Sequence, residues 1–229
     1  MLVNKLRNIS QVLFIAIFAF LVVQGNVQAW ILLLGLGWLV SLVIGRKYCG
    51  WVCPMGILMR VQTWIYKTLK ISRIQIPKLN ESPRTRALVT ILRLIMLAAF
   101  LMGMVAVRVW GMQINVILYL VIIGVGISFF FTEDFWHRIC PHGAIFNITS
   151  RISPFGMKID SSSCNGCSLC EKVCPNQAIF KYNDTKQRVI DNKECLVCYE
   201  CQKVCPKNAI SYGKIHDSYH EQEKEAVNS

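Results

Sequence analysis

One twelve-residue cysteine run occurs twice in this chain. Cys164-Asn-Gly-Cys167-Ser-Leu-Cys170-Glu-Lys-Val-Cys174-Pro175 is followed, thirty-one residues on, by Cys195-Leu-Val-Cys198-Tyr-Glu-Cys201-Gln-Lys-Val-Cys205-Pro206. Both copies share Lys-Val-Cys-Pro and then an Ala-Ile pair, Ala178-Ile179 and Ala209-Ile210, which marks a duplicated half. The spacing restricts the backbone. Three cysteines lie in a tight loop, and the Cys-Pro step starts a helix that carries the fourth thiol away. A zinc ribbon needs only two C-x2-C pairs, so the last two cysteines of each run, and the prolines after them, would have no role. Disulfides fit no better, because all four cysteines of each run keep this spacing and the segment is assigned below to a reducing compartment.

The pattern is that of the bacterial C-x2-C-x2-C-x3-C-P run around a cubane iron–sulfur cluster, whose fourth cysteine ligates the other cluster. On that rule Cys164, Cys167, Cys170 and Cys205 hold one 4Fe-4S cluster, and Cys195, Cys198, Cys201 and Cys174 hold the second. From about Lys158 to Lys214 the chain resembles two-cluster bacterial ferredoxins, so an α+β fold is expected there.

A ferredoxin fills only part of 229 residues, and at 54% hydrophobic composition the chain is too apolar to be one alone. Charge is uneven: residues 1–157 carry fifteen Lys/Arg against three acids, residues 158–214 nine against six, and residues 215–229 one against four. Such a basic excess suggests nucleic acid or membrane. The apolar runs decide for membrane and leave no role for nucleic acid.

Four transmembrane helices are expected, at Asn4 to Val23, Ala29 to Ile44, Ala87 to Val107 and Ile114 to Phe131, each near the roughly 20 residues a bilayer core requires. The first has a basic start, but no small-residue cleavage site follows, so it reads as a span rather than a secretion signal. Lys and Arg concentrate between spans two and three, which places both termini and the ferredoxin part on the cytoplasmic side of a multi-pass inner-membrane protein. Met55 to Leu69 reads as an amphipathic helix at the interface, with Ile57, Leu58, Val61, Trp64, Ile65 and Leu69 as its apolar face. Ser72 to Arg86 is a polar connector, and Phe146 to Ser163 joins the membrane part to the ferredoxin. The acidic end of the chain is expected to be disordered. The division is therefore 1–157 membrane domain, 158–214 ferredoxin domain and 215–229 tail. Arg93, about two turns inside the third span, either snorkels to the interface or contacts a quinone oxygen, Glu133 or Asp134. Gly35, Gly37, Gly124 and Gly126 are read as permitting close helix packing.

The remaining three cysteines follow spans two and four. Tyr48-Cys49-Gly50-Trp51-Val52-Cys53-Pro54-Met55-Gly56 and Trp136-His137-Arg138-Ile139-Cys140-Pro141-His142-Gly143 each end in Cys-Pro-x-Gly. The membrane part thus reads as two helix-pair repeats whose motifs share one membrane face. Four spans with Cys-x3-Cys-Pro motifs, followed by a two-cluster ferredoxin, resemble the NapH-type quinol dehydrogenase membrane component and the C-terminal part of NosR-type proteins. Cys49, Cys53 and Cys140 match three of that family's four motif cysteines. Trp136 stands at the fourth position, where His142, His137 and Asp134 are the nearest substitutes.

The resemblance implies an electron-transfer subunit that passes electrons between the quinone pool and a partner redox protein, with a third metal or thiol centre at the membrane face. Two other readings stay open: a metal-handling or assembly factor for an oxidase, with copper or iron at the juxtamembrane thiols, and a membrane anchor for a soluble redox enzyme. No nucleotide fingerprint, flavin motif or haem-attachment motif is present, so the chain itself is not expected to generate two-electron equivalents.

Overall fold

A computed structural model describes residues 2–74, 83–111, 116–181 and 186–215. The acidic tail from His216 and the middle of the Ser72 to Arg86 connector lie outside these residues. In chain order, helix α1 (Leu2–Val23) and a short 3-10 turn (Val27–Ala29) lead into α2 (Trp30–Ile44), α3 (Lys47–Trp51), α4 (Pro54–Thr68) and α5 (Pro83–Val109). Helices α6 (Val116–Phe130), α7 (Glu133–Ile139) and α8 (Pro141–Ser150) follow. The last part is β1 (Phe155–Ile159), α9 (Leu169–Lys172), β2 (Ile179–Lys181), β3 (Arg188–Ile190), α10 (Glu200–Val204) and β4 (Ile210–Lys214).

Among the described residues, three stretches are long and apolar enough to cross a membrane: Val3–Val23, Val27–Ile44 and Ala87–Val109, with mean hydropathy 2.1, 2.2 and 2.4. At most 17% of each is buried inside the protein, so many of their large apolar side chains face outward. Phe20, Leu36 and Leu101 are 50–60% exposed, a pattern that suits lipid and not water. Helix α6 is equally apolar, but its 15 described residues reach only about 22 Å. The first two residues of the expected fourth span lie outside the description.

The helices converge on a core of Trp30, Met55, Met59, Ile117, Val121 and Trp136. Helix α4 contributes a different face from the one its sequence suggests. Met55, Met59 and Gln62 turn inward, and Gln62 accepts a hydrogen bond from Ser128 of α6. Val61, Trp64 and Ile65 stay exposed beside the bundle, as an interfacial helix requires. Gly124 owes its place to this core, because a Cβ there would collide with Met55 and Trp136, whereas Gly35 and Gly126 face open space.

The stretch from Phe146 to Ser163 is more than a linker. Its first residues complete α8, which packs between α2 and α5, and Phe146 stacks on Tyr48 with ring centroids 5.1 Å apart. Strand β1 then pairs antiparallel with β4 in the register Phe155↔Lys214 to Ile159↔Ile210. Strands β2 and β3 pair in the same sense. Each half is thus a strand, a cysteine loop, a short helix and a second strand, with the outer strands of the two halves paired. Contrary to the expectation from spacing, the short helices end before Cys174-Pro175 and Cys205-Pro206, so the fourth thiol follows the helix and the Cys-Pro step starts none.

Candidate iron–sulfur centres

The duplication extends to the backbone. Asp160 and Asp191 take equivalent places: the Asp160 N–H donates to the Ala209 carbonyl and the Asp191 N–H to the Ala178 carbonyl, each at 2.8 Å. Their own carbonyls accept the N–H groups of Cys164 and Cys195. Left-handed residues recur at the repeat interval, Gly166, Ser168 and Gln177 (φ 72, 61 and 48°) and then Val197, Tyr199 and Asn208 (49, 62 and 51°). A left-handed conformation is costly for a β-branched residue such as Val197. Loops that mix left- and right-handed residues gather N–H groups into concavities suited to an anion.

Two cavities result, each with about 330 Å³ of space free of atoms. The first is lined by Cys164, Cys167, Cys170 and Cys205 together with Ile159, Arg188 and Lys207. Cys195, Cys198, Cys201 and Cys174 line the other, with Met157, Ile190 and Tyr199. Each therefore takes three thiols from its own run and one from the other. Four soft thiol donors facing one space fit the ligand set of a cubane. Among the described residues, no three His, Cys, Asp or Glu side chains converge on a single metal ion. Burial pushes the Cys170 thiol up to about 11 and Cys174 to about 12, so the free thiols are protonated and ligation must release their protons.

The two sites differ in surroundings. Cys195, Cys198 and Cys201 are buried, while Cys167 is exposed. The membrane part closes over the buried, proximal site with arginines. Arg7, near the start of α1, donates to the Cys198 carbonyl and pairs with Glu200 at 2.5 Å. Arg46, after α2, reaches the Lys193 carbonyl at 3.0 Å and Glu194 at 2.9 Å. Arg93 of α5 meets the same carboxylate at 2.8 Å and the Arg138 carbonyl at 2.6 Å. It neither snorkels alone nor turns to Glu133 or Asp134; its partner is in the ferredoxin half. Asn147 and Asn176 donate to Glu194 at 2.9 and 3.2 Å. Burial alone would raise the Glu194 carboxyl, but Arg46, Arg93 and these donors hold it below the ordinary carboxylate value. The start of α1, the end of α2 and the inner part of α5 therefore meet the ferredoxin half at one end of the bundle.

Cys49 and Cys53 belong to the same contact. Gly50 lies so close to the Leu196 carbonyl that a Cβ would strike it, and Trp51 donates to the Val197 carbonyl at 3.0 Å. The first Cys-Pro motif thus packs on the loop of the proximal site. Cys49, Cys53 and Cys140 are partly buried and near enough to act on one another electrostatically. Burial pushes Cys49 up while the adjacent Arg46 guanidinium pulls it down; Cys140 is pushed up to about 11. Trp136, at the fourth motif position, fills the helix core at 1% exposure, with its ring against Gly124. The substitutes do not gather on the thiols. Asp134 accepts from Gln177 at 2.5 Å and His142 stacks edge-on against Phe100, and among the described residues no group of three His, Cys, Asp or Glu that could hold a metal ion forms here.

Glu194 and Glu200 were not singled out by sequence reasoning. A signal existed: the first copy carries Ser163 and Leu169 at the equivalent positions, so both acids stand where the other copy has an uncharged residue.

Comparison with known proteins gives the same order of parts. A family model described as a 4Fe-4S dicluster domain matches residues 163–209. A second, described as a 4Fe-4S binding domain, matches twice in the membrane part, at 26–72 and 116–160, around the two Cys-Pro motifs. An uncharacterized protein of Methanocaldococcus jannaschii is 31% identical over 76% of this chain and 83% of its own length. The methylamine utilization ferredoxin-type protein MauN of Methylorubrum extorquens is 29% identical over 66% of this chain and 55% of its own. The ferredoxin-type protein NapH of Haemophilus influenzae is 28% identical over 63% and 51%, so the chain spans about half the length of these two relatives. No solved structure matches. Apolar helices ending in paired Cys-Pro motifs, a dicluster ferredoxin docked on them and relatives named NapH and MauN place this chain in the family of NapH-type membrane polyferredoxins.

Proposed function

We propose that the chain conducts electrons between the quinone pool of the cytoplasmic membrane and a soluble redox partner, using two 4Fe-4S clusters. Cys164, Cys167, Cys170 and Cys205 hold the distal one, and Cys195, Cys198, Cys201 and Cys174 the proximal one. The observation that carries this reading is the pair of cavities, each lined by three cysteines of one run and the fourth of the other. A cubane supplies reversible one-electron chemistry at a potential set by charge, hydrogen bonds and exposure. The protein's own contribution is positional. Glu194 and Glu200 hold the ferredoxin half on Arg7, Arg46 and Arg93, which keeps the Cys195 loop against Gly50 and Trp51 at the membrane.

Purified protein should contain about eight iron and eight sulfide per chain in this part. Cys205→Ser should abolish the electron paramagnetic resonance signal of the exposed site and leave the buried one. Loss of the buried signal instead would refute the crossed assignment. The cytoplasmic orientation rests on the positive-inside distribution. A reporter fused after Ser229 should be active only as a cytoplasmic marker, and one inserted at Asn26 only as an external marker.

A second role rests on the three clustered juxtamembrane thiols. Cys49, Cys53 and Cys140 form a third metal or thiol centre between the membrane and the proximal cluster. Iron beyond that of the ferredoxin part, lost in Cys140→Ser with the two ferredoxin signals intact, would support a cluster there. Stoichiometric copper at the same thiols would favour the metal-handling alternative.

A further inference from the structure

The pseudo-symmetry of the ferredoxin half leaves one docking face in use and its counterpart open. The proximal half meets the membrane part through Glu194, the Val197 and Cys198 carbonyls and Glu200. The same backbone positions one repeat earlier are Ser163, Gly166, Cys167 and Leu169. Ser163 and Cys167 are exposed, and Leu169 is 42% exposed with Val173 beside it at 37%. A thiol that lines the distal cavity thus opens to solvent next to an apolar pair.

Charge is sorted in the same way. Glu194 and Glu200 turn inward onto arginines and Glu171 pairs with Arg188 at 3.1 Å, while the Asp160 carboxylate, at the start of the distal loop, stays exposed and accepts from Ser162 and Ser163. The lysines face outward. Lys207 lines the distal cavity, Lys186 lies against Gly166, Lys172 ends α9, and all three are exposed.

From this geometry we infer that the distal face is the docking surface for a soluble redox protein with an acidic contact surface, apolar at its centre over Leu169 and Val173 and acidic at its rim over Lys172, Lys186 and Lys207. The inference rests on the cluster reading above and adds to it the place and sign of the partner. One electron crosses this contact from the reduced member of the pair to the oxidised one; no bond forms or breaks, and no proton accompanies it. Opposite charge at the rim steers encounter, and the apolar centre sets how long the pair stays together.

The test uses the full chain, with its clusters, in discs of neutral lipid, and an acidic flavodoxin as probe. Both cluster signals are recorded for every sample, and the reduced chain is then mixed with oxidised flavodoxin while semiquinone absorbance is followed. The rate at low salt should fall about tenfold as ionic strength rises to roughly 0.5 M. Lys172→Glu with Lys207→Glu should lower the low-salt rate about tenfold and flatten its salt dependence, with both signals kept. Leu169→Ser should slow transfer even at high salt, while Lys214→Glu, on β4, should leave it unchanged. Charge-reversed protein that reacts at the unaltered rate and salt slope would overturn the inference, as would a reversal that changes only self-association or binding to anionic vesicles. Wild-type protein without the two signals would instead overturn the cluster reading beneath it.

Discussion

The two halves of the ferredoxin domain share a backbone and differ in what covers them. Around Cys195, Cys198 and Cys201 the loop is buried, and Arg7, Arg46, Arg60 and Arg138 act on the thiols of that site from the membrane part. At the other site the loop ends in solvent at Cys167. The difference comes down to a few positions. Where one copy has Ser163 and Leu169, the other has Glu194 and Glu200, each paired with buried arginine. A duplicated domain can therefore face inward with one copy and outward with the other by changing side chains in and beside the loops, Ser163, Asn165, Gly166, Ser168 and Leu169 against Glu194, Leu196, Val197, Tyr199 and Glu200, while the loop backbone and its cysteines are kept. That gives the pair of sites a direction, one end at the membrane and one at the surface.

The largest effect should come from removing the inward copy's charge. Glu194→Gln leaves Arg46 and Arg93, whose side chains are 1% and 11% exposed, without their carboxylate. Breaking a buried pair in this way costs about 3–5 kcal/mol. Thermal unfolding in detergent should shift down markedly, with the buried cluster lost first; an unchanged melting curve would show that Glu194 does not hold the halves together. A smaller change should follow Arg7→Gln. A cation beside Cys198 favours the reduced, more negative cluster, so removing it should lower the proximal potential by about 20–60 mV while the distal one stays fixed. Equal shifts at both sites would blur the contrast. Ser163→Ala, at the outward counterpart of Glu194, should alter stability by less than about 0.5 kcal/mol, because its hydroxyl is exposed and bonds only to nearby Asp160.

The proposed ligand sets could be written from cysteine spacing alone, because cluster ligation dictates spacing directly. The long apolar spans were legible for a similar reason: a lipid environment acts on composition. Contacts between the two parts were not. Arg93 could be placed at a depth in its helix, but its partner Glu194 lies a hundred residues away in another domain. The second half of helix α8 looked like the start of a linker because the stretch from Phe146 to Ser163 carries Pro154 and Gly156, yet α8 runs on to Ser150, packs against α2 and α5 and brings Gly143 against Arg46. Trp136 looked like a missing ligand and is a core residue, since Gly124 opposite it supplies the space for an indole. The left-handed Val197 and Tyr199 carry no propensity signal at all; their conformation is imposed by the repeat.

The inward and outward assignment can be measured directly by exposing the reduced full-length protein to a water-soluble paramagnetic chelate and following the spin relaxation of each cluster. Cys205→Ser identifies which signal belongs to the site of Cys164, Cys167 and Cys170. The expected result is strong relaxation enhancement of that signal and little of the other. Equal enhancement of both, or a larger effect on the signal that survives in Cys205→Ser, would contradict the proximal and distal arrangement.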